Sequence, residues 1–248
     1  MSKVNETGHA INVANLKKLI NECNSYGSKY NPSNVAIQLN TLDTLYAAAD
    51  KSLDNVIQAN TNFKREINNR QVVFSTVKPL STRIINALEA TDASKGTVAN
   101  AKSINKKIQG TKTEKKKTDT TPTENEEMPD DKSISTSQQS YTNIREHFKS
   151  LVSIITNEPS YQPNEKEMQL NTLNSLVDAM KSANDNVNQS LITLNSARID
   201  RNELLYNETT GIYNASKDVK KYIKSVFGPT HPYTKQIVSI KFTDKRKK

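Results

Sequence analysis

The fold of this 248-residue chain is decided by a stretch that occurs twice, as Tyr30-Asn-Pro-Ser-Asn-Val-Ala-Ile-Gln-Leu-Asn-Thr-Leu42 and as Tyr161-Gln-Pro-Asn-Glu-Lys-Glu-Met-Gln-Leu-Asn-Thr-Leu173. The last five residues of the two stretches are identical, and the Tyr and the Pro keep a constant offset of 131 residues (161 − 30). Self-similarity at a fixed offset indicates a duplicated structural unit. The repeat predicts how the chain is built and carries no signature of a reaction.

Each copy of the stretch leads into a long run in which the seam residues recur in alternating steps of three and four. This spacing predicts a long helix, from about residue 34 to 75 in the first copy, whose seam packs near-antiparallel against other helices at about +20°. The seam residues are Leu39, Leu42, Tyr46, Ala49, Leu53, Val56, Asn60, Phe63 and Ile67, and then Leu170, Leu173, Val177, Met180, Asn184, Val187, Leu191 and Leu194. Flanking apolar residues widen the stripe and predict two neighbouring helices; these are Val35, Leu45, Ile57, Leu176, Ile192 and Ile199.

Shorter amphipathic helices are predicted on both sides of each long one. The preceding helix places on one face Val13, Leu16, Leu19, Ile20 and Cys23, and in the second copy Ile144, Phe148, Leu151, Val152 and Ile155. Gly27 and the segment 157–159 should end these two helices. The following helix starts at Pro79 in the first copy and stops at Gly228 in the second. Aligning Ile84 with Val219 needs an offset of 135 (219 − 84), so about four extra residues are expected in the connection near 207–211.

These patterns predict an all-α protein with two tandem copies of a three-helix antiparallel bundle unit, each with one long central helix. The predicted domains are residues 1–110 and residues 141–248, the latter ending in a basic tail. Residues 111–140 have almost no apolar side chains and no periodicity, which predicts a disordered polar linker. One joint bundle of six helices is the alternative arrangement.

The composition excludes several classes of protein. The single cysteine, Cys23, allows neither an intramolecular disulfide nor a Cys-based zinc finger, and its apolar position predicts a small buried side chain. We see no signal-peptide core and no run of about 18 apolar residues, so we expect no membrane span and a cytoplasmic location. The net charge is +9, from 35 basic and 26 acidic residues, which permits an acidic partner without requiring one.

The C-terminal part carries a family resemblance. The stretches Val219-Lys-Lys-Tyr-Ile-Lys-Ser-Val-Phe-Gly228 and Tyr233-Thr-Lys-Gln-Ile-Val-Ser-Ile-Lys-Phe-Thr243 resemble the closing signature of a bacterial family of uncharacterised proteins. The Tyr-x-Pro repeats and the stretch from Arg198 to Tyr206 are also similar to that family. The resemblance implies a duplicated helical architecture, with no assigned activity and no catalytic or binding residues.

Signatures of enzymes are missing from the sequence. It has no Gly-rich phosphate loop, no H-E-x-x-H and no G-x-S-x-G. His9 is expected in a mobile tail, His147 on a helix and His231 in a Pro-flanked loop, so a metal site built from the three histidines is not favoured. The seam amides of Asn60 and Asn184 more often fix helix register than bind ligands. We therefore predict no catalytic, cofactor or metal site and no enzymatic activity.

Two groups of cations allow a binding function. Arg198 and Arg201 continue the seam, where they either form an anion site or, as we favour, mark a helix leaving the core or pairing with an acid. A stripe of lysines at helical spacing and a basic tail could contact nucleic-acid phosphates, although a solvated helix face is the simpler interpretation. The stripe and tail residues are Lys217, Lys220, Lys221, Lys224, Lys245, Arg246, Lys247 and Lys248.

Three functions remain in competition. The leading hypothesis is a non-enzymatic helical scaffold or adaptor that presents helix faces to a protein partner. The second is a nucleic-acid-binding module that uses the lysine stripe and the tail, and a salt titration would separate it from the first. The third is an enzyme with an unrecognised site between helices. The sequence does not specify the partner or the oligomeric state.

Overall fold

The computed structural model of the protein describes residues 7–110 and 139–244. Over these residues the chain is helical and contains no β-strand, which confirms the predicted all-α class. The helices are α1 (Thr7–Ser25), α2 (Leu39–Ser75), α3 (Val77–Glu89), α4 (Lys95–Gln109), α5 (Tyr141–Thr156), α6 (Leu170–Tyr206), α7 (Ile212–Phe227) and α8 (Pro232–Ser239). Most of the predicted linker (111–138) and the tail residues Lys245, Arg246, Lys247 and Lys248 lie outside the described residues.

The repeated stretch forms the same turn in both copies. The Tyr30 hydroxyl donates a hydrogen bond to the Ile37 carbonyl at 2.5 Å, and the Tyr161 hydroxyl donates one to the Met168 carbonyl at 3.2 Å. The four residues are buried, so each tyrosine ring fixes the turn that precedes a long helix. The turn contains a short 3₁₀ segment, and α2 therefore begins at residue 39 rather than near residue 34 as predicted.

Backbone geometry explains where the helices end. Gly228, at φ +83°, follows α7 at the predicted stop, a conformation that a side chain would strain. Residues 207–211 join α6 to α7, whereas only Thr76 separates α2 from α3, so the longer connection in the second copy is confirmed. Gly211 cannot carry a side chain without rearrangement, because a Cβ there would lie 2.5 Å from the Asn207 backbone nitrogen.

The described chain divides into two compact units, and neither is contiguous in sequence. The first unit combines residues up to 63 with residues from 190 onward. It contains α1 and the first part of α2 from one copy, together with the last part of α6, α7 and α8 from the other. Its main buried core joins Leu16 and Leu19 of α1 to Val219 and Ile223 of α7, all at 3% exposure or less.

The second unit, residues 64–189, has the reciprocal composition. It contains α5 and the first part of α6 from the second copy, together with the last part of α2, α3 and α4 from the first. Its core joins Phe148 and Leu151 of α5 to Ile84 of α3 and to Ala101 and Ile108 of α4, each fully buried. Each unit therefore needs helices from both copies.

The predicted domain boundary at 111–140 does not coincide with this division. The helices on either side of it, α4 and α5, pack against each other within the second unit. The breaks between units fall instead after Phe63 and after Gln189, inside the two long helices. The physical reason is that the apolar faces of α1 and α5 are covered by the third helix of the other copy, which a sequence pattern does not specify.

The seams of the long helices are confirmed, but their predicted widening is wrong at four positions. Leu42, Leu173 and Met180 are fully buried, and most other seam residues are at least half-buried. Among the flanking residues, Leu45 and Leu176 are half-buried. The exposed flanking residues are Val35, Ile57, Ile192 and Ile199, each more than 60% exposed.

Two helices were missed by the sequence analysis. The first is α4, which begins after Ser94, whose hydroxyl accepts a hydrogen bond from the Thr97 backbone N–H at 3.1 Å. It ends at Gly110, at φ +79°. Both are ordinary capping signals that could have located it. The second is α8, where the His231 ring Nδ1 accepts a hydrogen bond from the Tyr233 backbone N–H at 3.2 Å.

Replacing residues 111–138 by Gly-Ser-Gly-Ser should leave the fold intact. The ends of this segment are close together, since the Gln139 side-chain amide donates to the Lys107 carbonyl at 2.8 Å and its oxygen accepts from Lys78 at 3.3 Å. Shortening the connection from 28 residues (138 − 110) to four lowers the loop-closure cost by about 1–2 kcal/mol. Denaturant unfolding should show equal or higher stability in the variant. Loss of cooperative unfolding would contradict the packing of α4 on α5.

Candidate functional site

A groove of about 490 Å³ lies in the first unit between the start of α2 and the start of α7. We call it the α2–α7 groove. Its floor is apolar and rests on the core through Ile37 and Ala215, at 3% and 5% exposure. Its lining residues are Ala36, Ile37, Asn40, Thr41, Thr44, Leu45, Ala48, Leu204, Thr209, Thr210, Ala215 and Asp218.

Polar groups in the groove wall already have internal partners. The Thr44 hydroxyl donates to the Asn40 carbonyl at 2.8 Å. The backbone N–H groups of Thr209 and Thr210 donate to the Asn207 side-chain oxygen at 2.8 and 2.9 Å. The wall therefore presents mainly methyl groups and short side chains, a surface that allows a second backbone to approach closely.

The second unit has a groove of the same volume, about 490 Å³, which we call the α3–α6 groove. It is lined by Ser75, Thr76, Pro79, Leu80, Arg83, Glu167, Thr172 and Leu176. The offset of 131 residues relates its α6 side to Ala36, Thr41 and Leu45 of the α2–α7 groove. The offset of 135 residues relates its α3 side to Thr210, Ala215 and Asp218. The two grooves are therefore equivalent positions of the repeat.

Charge distinguishes the two grooves. In the α3–α6 groove, the Arg83 guanidinium forms an ion pair with the Glu167 carboxylate across the groove. The equivalent residues of the α2–α7 groove are Asp218 and Ala36, which cannot form this bridge. Asp218 instead pairs with Lys221 at 3.2 Å on its own helix. The α2–α7 groove is thus unbridged and has one carboxylate at its edge.

The predicted lysine stripe lies on α7, but most of its ammonium groups make contacts within the chain. Lys217 lies 4.0 Å from the centre of the Tyr213 ring, and Lys221 pairs with Asp218. Lys220 donates to the Ile240 carbonyl and faces the Phe242 ring. Burial and the charge of Lys241 lower the Lys220 pKa. A bound phosphate would have to compete with these contacts at three of the four lysines; Lys224 is exposed.

The segment that follows α8 is tied to α1 by two amide side chains. Asn12 donates to the Thr243 carbonyl at 2.8 Å and accepts from the Thr243 N–H at 3.1 Å. Asn15 donates to the Lys241 carbonyl at 2.7 Å. Together with Lys220, these contacts hold residues 240–243 in the first unit, where a free basic tail had been expected to begin.

A buried polar cluster in the first unit corrects two predictions. His9 was expected in a mobile tail, yet it lies on α1 at 5% exposure with its Nδ1 2.8 Å from the Tyr206 hydroxyl. Arg201 was expected where the helix leaves the core, yet it is 1% exposed and donates to the Asn202 side-chain oxygen at 2.9 and 3.2 Å. The next turn of α6 stays buried because it belongs to the same unit as α1.

The remaining predicted polar residues show no common site. His147 lies on α5 as predicted, and burial together with the charge of Lys107 lowers its pKa. His231 caps α8. Asn184 is 9% exposed, whereas Asn60 is half-buried. Among the described residues, no three His, Cys, Asp or Glu side chains are placed to hold a metal ion, and no helix there is long and apolar enough to cross a membrane.

Cys23 lies fully buried beneath Tyr30. Loss of hydration on burial, with a smaller effect of the Glu22 charge, raises the pKa of its thiol from 9.0 to about 12. Because the nucleophilic form of cysteine is the thiolate, Cys23 is poorly suited to covalent chemistry near neutral pH. This agrees with the structural role expected from its apolar position.

The raised pKa of Cys23 predicts a pH dependence of stability. The folded thiol keeps its proton up to about pH 12, whereas the unfolded thiol loses it above about pH 9. Stability should therefore fall as pH rises from 9, by about 1.4 kcal/mol per pH unit for this group. Between pH 9 and 10, below the ordinary range of tyrosine, Cys23→Ala should show a shallower fall in the free energy of unfolding. Parallel curves for the two proteins would show that the thiol does not contribute.

Comparison of the chain with protein-family models, curated proteins and solved structures gives no match. The resemblance to a bacterial family therefore rests on the sequence motifs alone and stays a prediction. The candidate site is argued from the geometry of the chain itself. Its residues were missed by the sequence analysis, although the short side chains of Asn40, Thr41, Thr44 and Ala48 recur on one face of α2 and could have indicated a groove.

Proposed function

We propose that the protein is a non-enzymatic helical adaptor that binds a protein partner in the α2–α7 groove. The observation that carries the proposal is the contrast between two equivalent grooves. The groove of the second unit is bridged by Arg83 and Glu167, whereas that of the first unit has no such bridge. Val35, next to the groove lining in sequence, is 64% exposed and extends the apolar surface.

The shape of the groove favours a helical segment as the bound element. The α2 wall runs from Asn40 to Ala48, a length of about 12 Å, which corresponds to roughly two helical turns of a ligand. Short side chains along this wall permit interaxial distances at the lower end of the usual 8–10 Å range. An amphipathic helix with apolar residues at i, i+4 and i+7 matches such a surface.

The carboxylate of Asp218 adds a charge preference. It would attract a lysine or arginine of the bound helix and repel phosphates or a fatty-acid headgroup. Its present partner, Lys221, is 78% exposed, and such surface pairs contribute little to stability. An incoming cation can therefore replace Lys221 at small cost.

Matched arginine substitutions test the proposal. Thr44→Arg places a long charged side chain in the α2–α7 groove at an exposed position. Ser175→Arg is the control, since Ser175 is the equivalent residue 131 positions later and makes the same 2.8 Å bond to the carbonyl four residues earlier. Both variants should fold, because neither side chain is buried.

The measurement is affinity capture from a lysate of the source cells at physiological salt. We expect at least one protein that the parent and Ser175→Arg retain and that Thr44→Arg loses by more than about tenfold. Asp218→Asn should weaken the same capture less, and Asp185→Asn, which removes an equally exposed carboxylate paired with Lys181, should not. A capture profile that is the same for the parent and for Thr44→Arg would refute a partner in this groove.

A further inference from the structure

The two copies differ at one further place, beside the repeated Tyr-x-Pro turn. In the first unit, the ring of Tyr222 on α7 packs edge-to-face against Tyr30, with ring centres 5.4 Å apart. The Tyr222 hydroxyl oxygen accepts a hydrogen bond from the Asn31 backbone N–H at 3.1 Å. The first unit thus holds a phenol ring in a niche formed by this turn.

The second unit has the same niche without the phenol. The residue equivalent to Tyr222, 135 positions earlier, is Ala87. A cavity of about 570 Å³ opens at this place, and Ala87 lines it together with Tyr161 and Gln162, the equivalents of Tyr30 and Asn31. Arg83, Asn86, Asn164 and Glu165 also line the cavity and make its mouth polar.

The wall of the cavity is fixed by the fold of the second unit. Tyr161 is 3% exposed, and its hydroxyl is bonded to the Met168 carbonyl, as that of Tyr30 is to Ile37. Burial, with a smaller effect of the Glu165 charge, raises the Tyr161 pKa to about 12. The tyrosine ring therefore keeps its place and offers an incoming ring the surface that Tyr30 offers Tyr222.

We infer that this cavity binds a para-hydroxyphenyl group in the position that Tyr222 occupies in the first unit. The ring packs edge-to-face on Tyr161, an arrangement that contributes beyond simple burial of area. The backbone N–H of Gln162 stands where that of Asn31 donates to the Tyr222 hydroxyl, so the ligand hydroxyl has an equivalent donor. A volume of about 570 Å³ also falls within the usual range for small-ligand sites.

The group could belong to a free phenol or to a tyrosine of a peptide, and the chemistry of recognition is the same. The cavity is open to solvent on the side of Asn86 and Gln162, which are exposed, so a peptide backbone could remain outside while its ring enters. The probes are therefore p-cresol for the free phenol and N-acetyl-Gly-Tyr-Gly-amide for the peptide. Toluene and the corresponding Phe peptide lack the hydroxyl and serve as matched controls.

The test uses the full chain and two reciprocal substitutions. Ala87→Tyr fills the cavity with the side chain found in the first unit. It should raise Tm by about 2–4 °C and weaken binding of both probes by more than tenfold. Tyr222→Ala should open a second niche, so that ligand-observed NMR detects two sites for p-cresol instead of one.

For the parent protein we expect p-cresol to bind with a Kd on the order of 1 mM and toluene to bind several-fold more weakly. Tighter binding of the Tyr peptide than of p-cresol would identify a peptide as the natural source, and the reverse would identify a free phenol. The inference is overturned if neither probe binds the parent at concentrations up to about ten times that Kd. It is also overturned if Ala87→Tyr binds both probes as the parent does. The Ala87→Tyr arm stands on its own if Tyr222→Ala fails to fold.

Discussion

Cutting the chain once between residues 111 and 138 should leave the two resulting fragments bound to each other. Each compact unit takes helices from both copies, so both hydrophobic cores require both fragments. After cleavage at an inserted protease site, the fragments should elute together in size-exclusion chromatography at about 1 μM, which corresponds to at least about 8 kcal/mol of association free energy.

The separated fragments provide the control for this experiment. Parted in denaturant and refolded alone, each should lack a cooperative thermal transition, because α1 loses the cover of α7, and α5 loses that of α3 and α4. Mixing them should restore the transition. Two fragments that separate under native conditions and each melt cooperatively would instead support independent domains at 1–110 and 141–248.

Shortening the seam leucines should have the largest effect of any single substitution considered. Leu42 lies in the core of the first unit and Leu173 in that of the second, both at 0% exposure. Leu42→Ala and Leu173→Ala should each lower the free energy of unfolding by about 2–5 kcal/mol, because each leaves a cavity as well as losing buried apolar area. Urea unfolding monitored by circular dichroism gives the measurement.

Two isoleucines on the same long helices serve as matched controls. Ile57 is 63% exposed and Ile192 is 61% exposed, although the sequence pattern had placed both in the buried stripe. Ile57→Ala and Ile192→Ala should each change stability by less than about 1 kcal/mol. Equal losses for leucine and isoleucine variants would show that the seam faces solvent in the isolated chain.

Much of the local structure could be predicted from the sequence. The all-α class, the seam leucines, the end of α7 at Gly228 and the longer connection after α6 follow from spacing and from the conformational preferences of Gly and Pro. These features depend on residues that are close together in the chain. For the same reason, the capping serine at 94 could have located α4.

The pairing of helices could not be predicted in the same way. The apolar face of α1 requires an apolar neighbour, but the third helices of both copies offer one, since they descend from the same pattern. An apolar position reports that it is covered and does not report which helix covers it. The grooves and the cavity at Ala87 depend on that pairing, because each is lined by residues from both copies.

The reciprocal composition of the units has a consequence for synthesis on the ribosome. The partner of α1 in the first unit, α7, begins 187 residues after α1 ends (212 − 25), so the buried face of α1 stays uncovered for about 10–40 s at 5–20 residues per second. The second unit, which ends at residue 189, can close earlier. A nascent chain of this protein should therefore be a client of holdase chaperones through its N-terminal helix until the last helices have emerged.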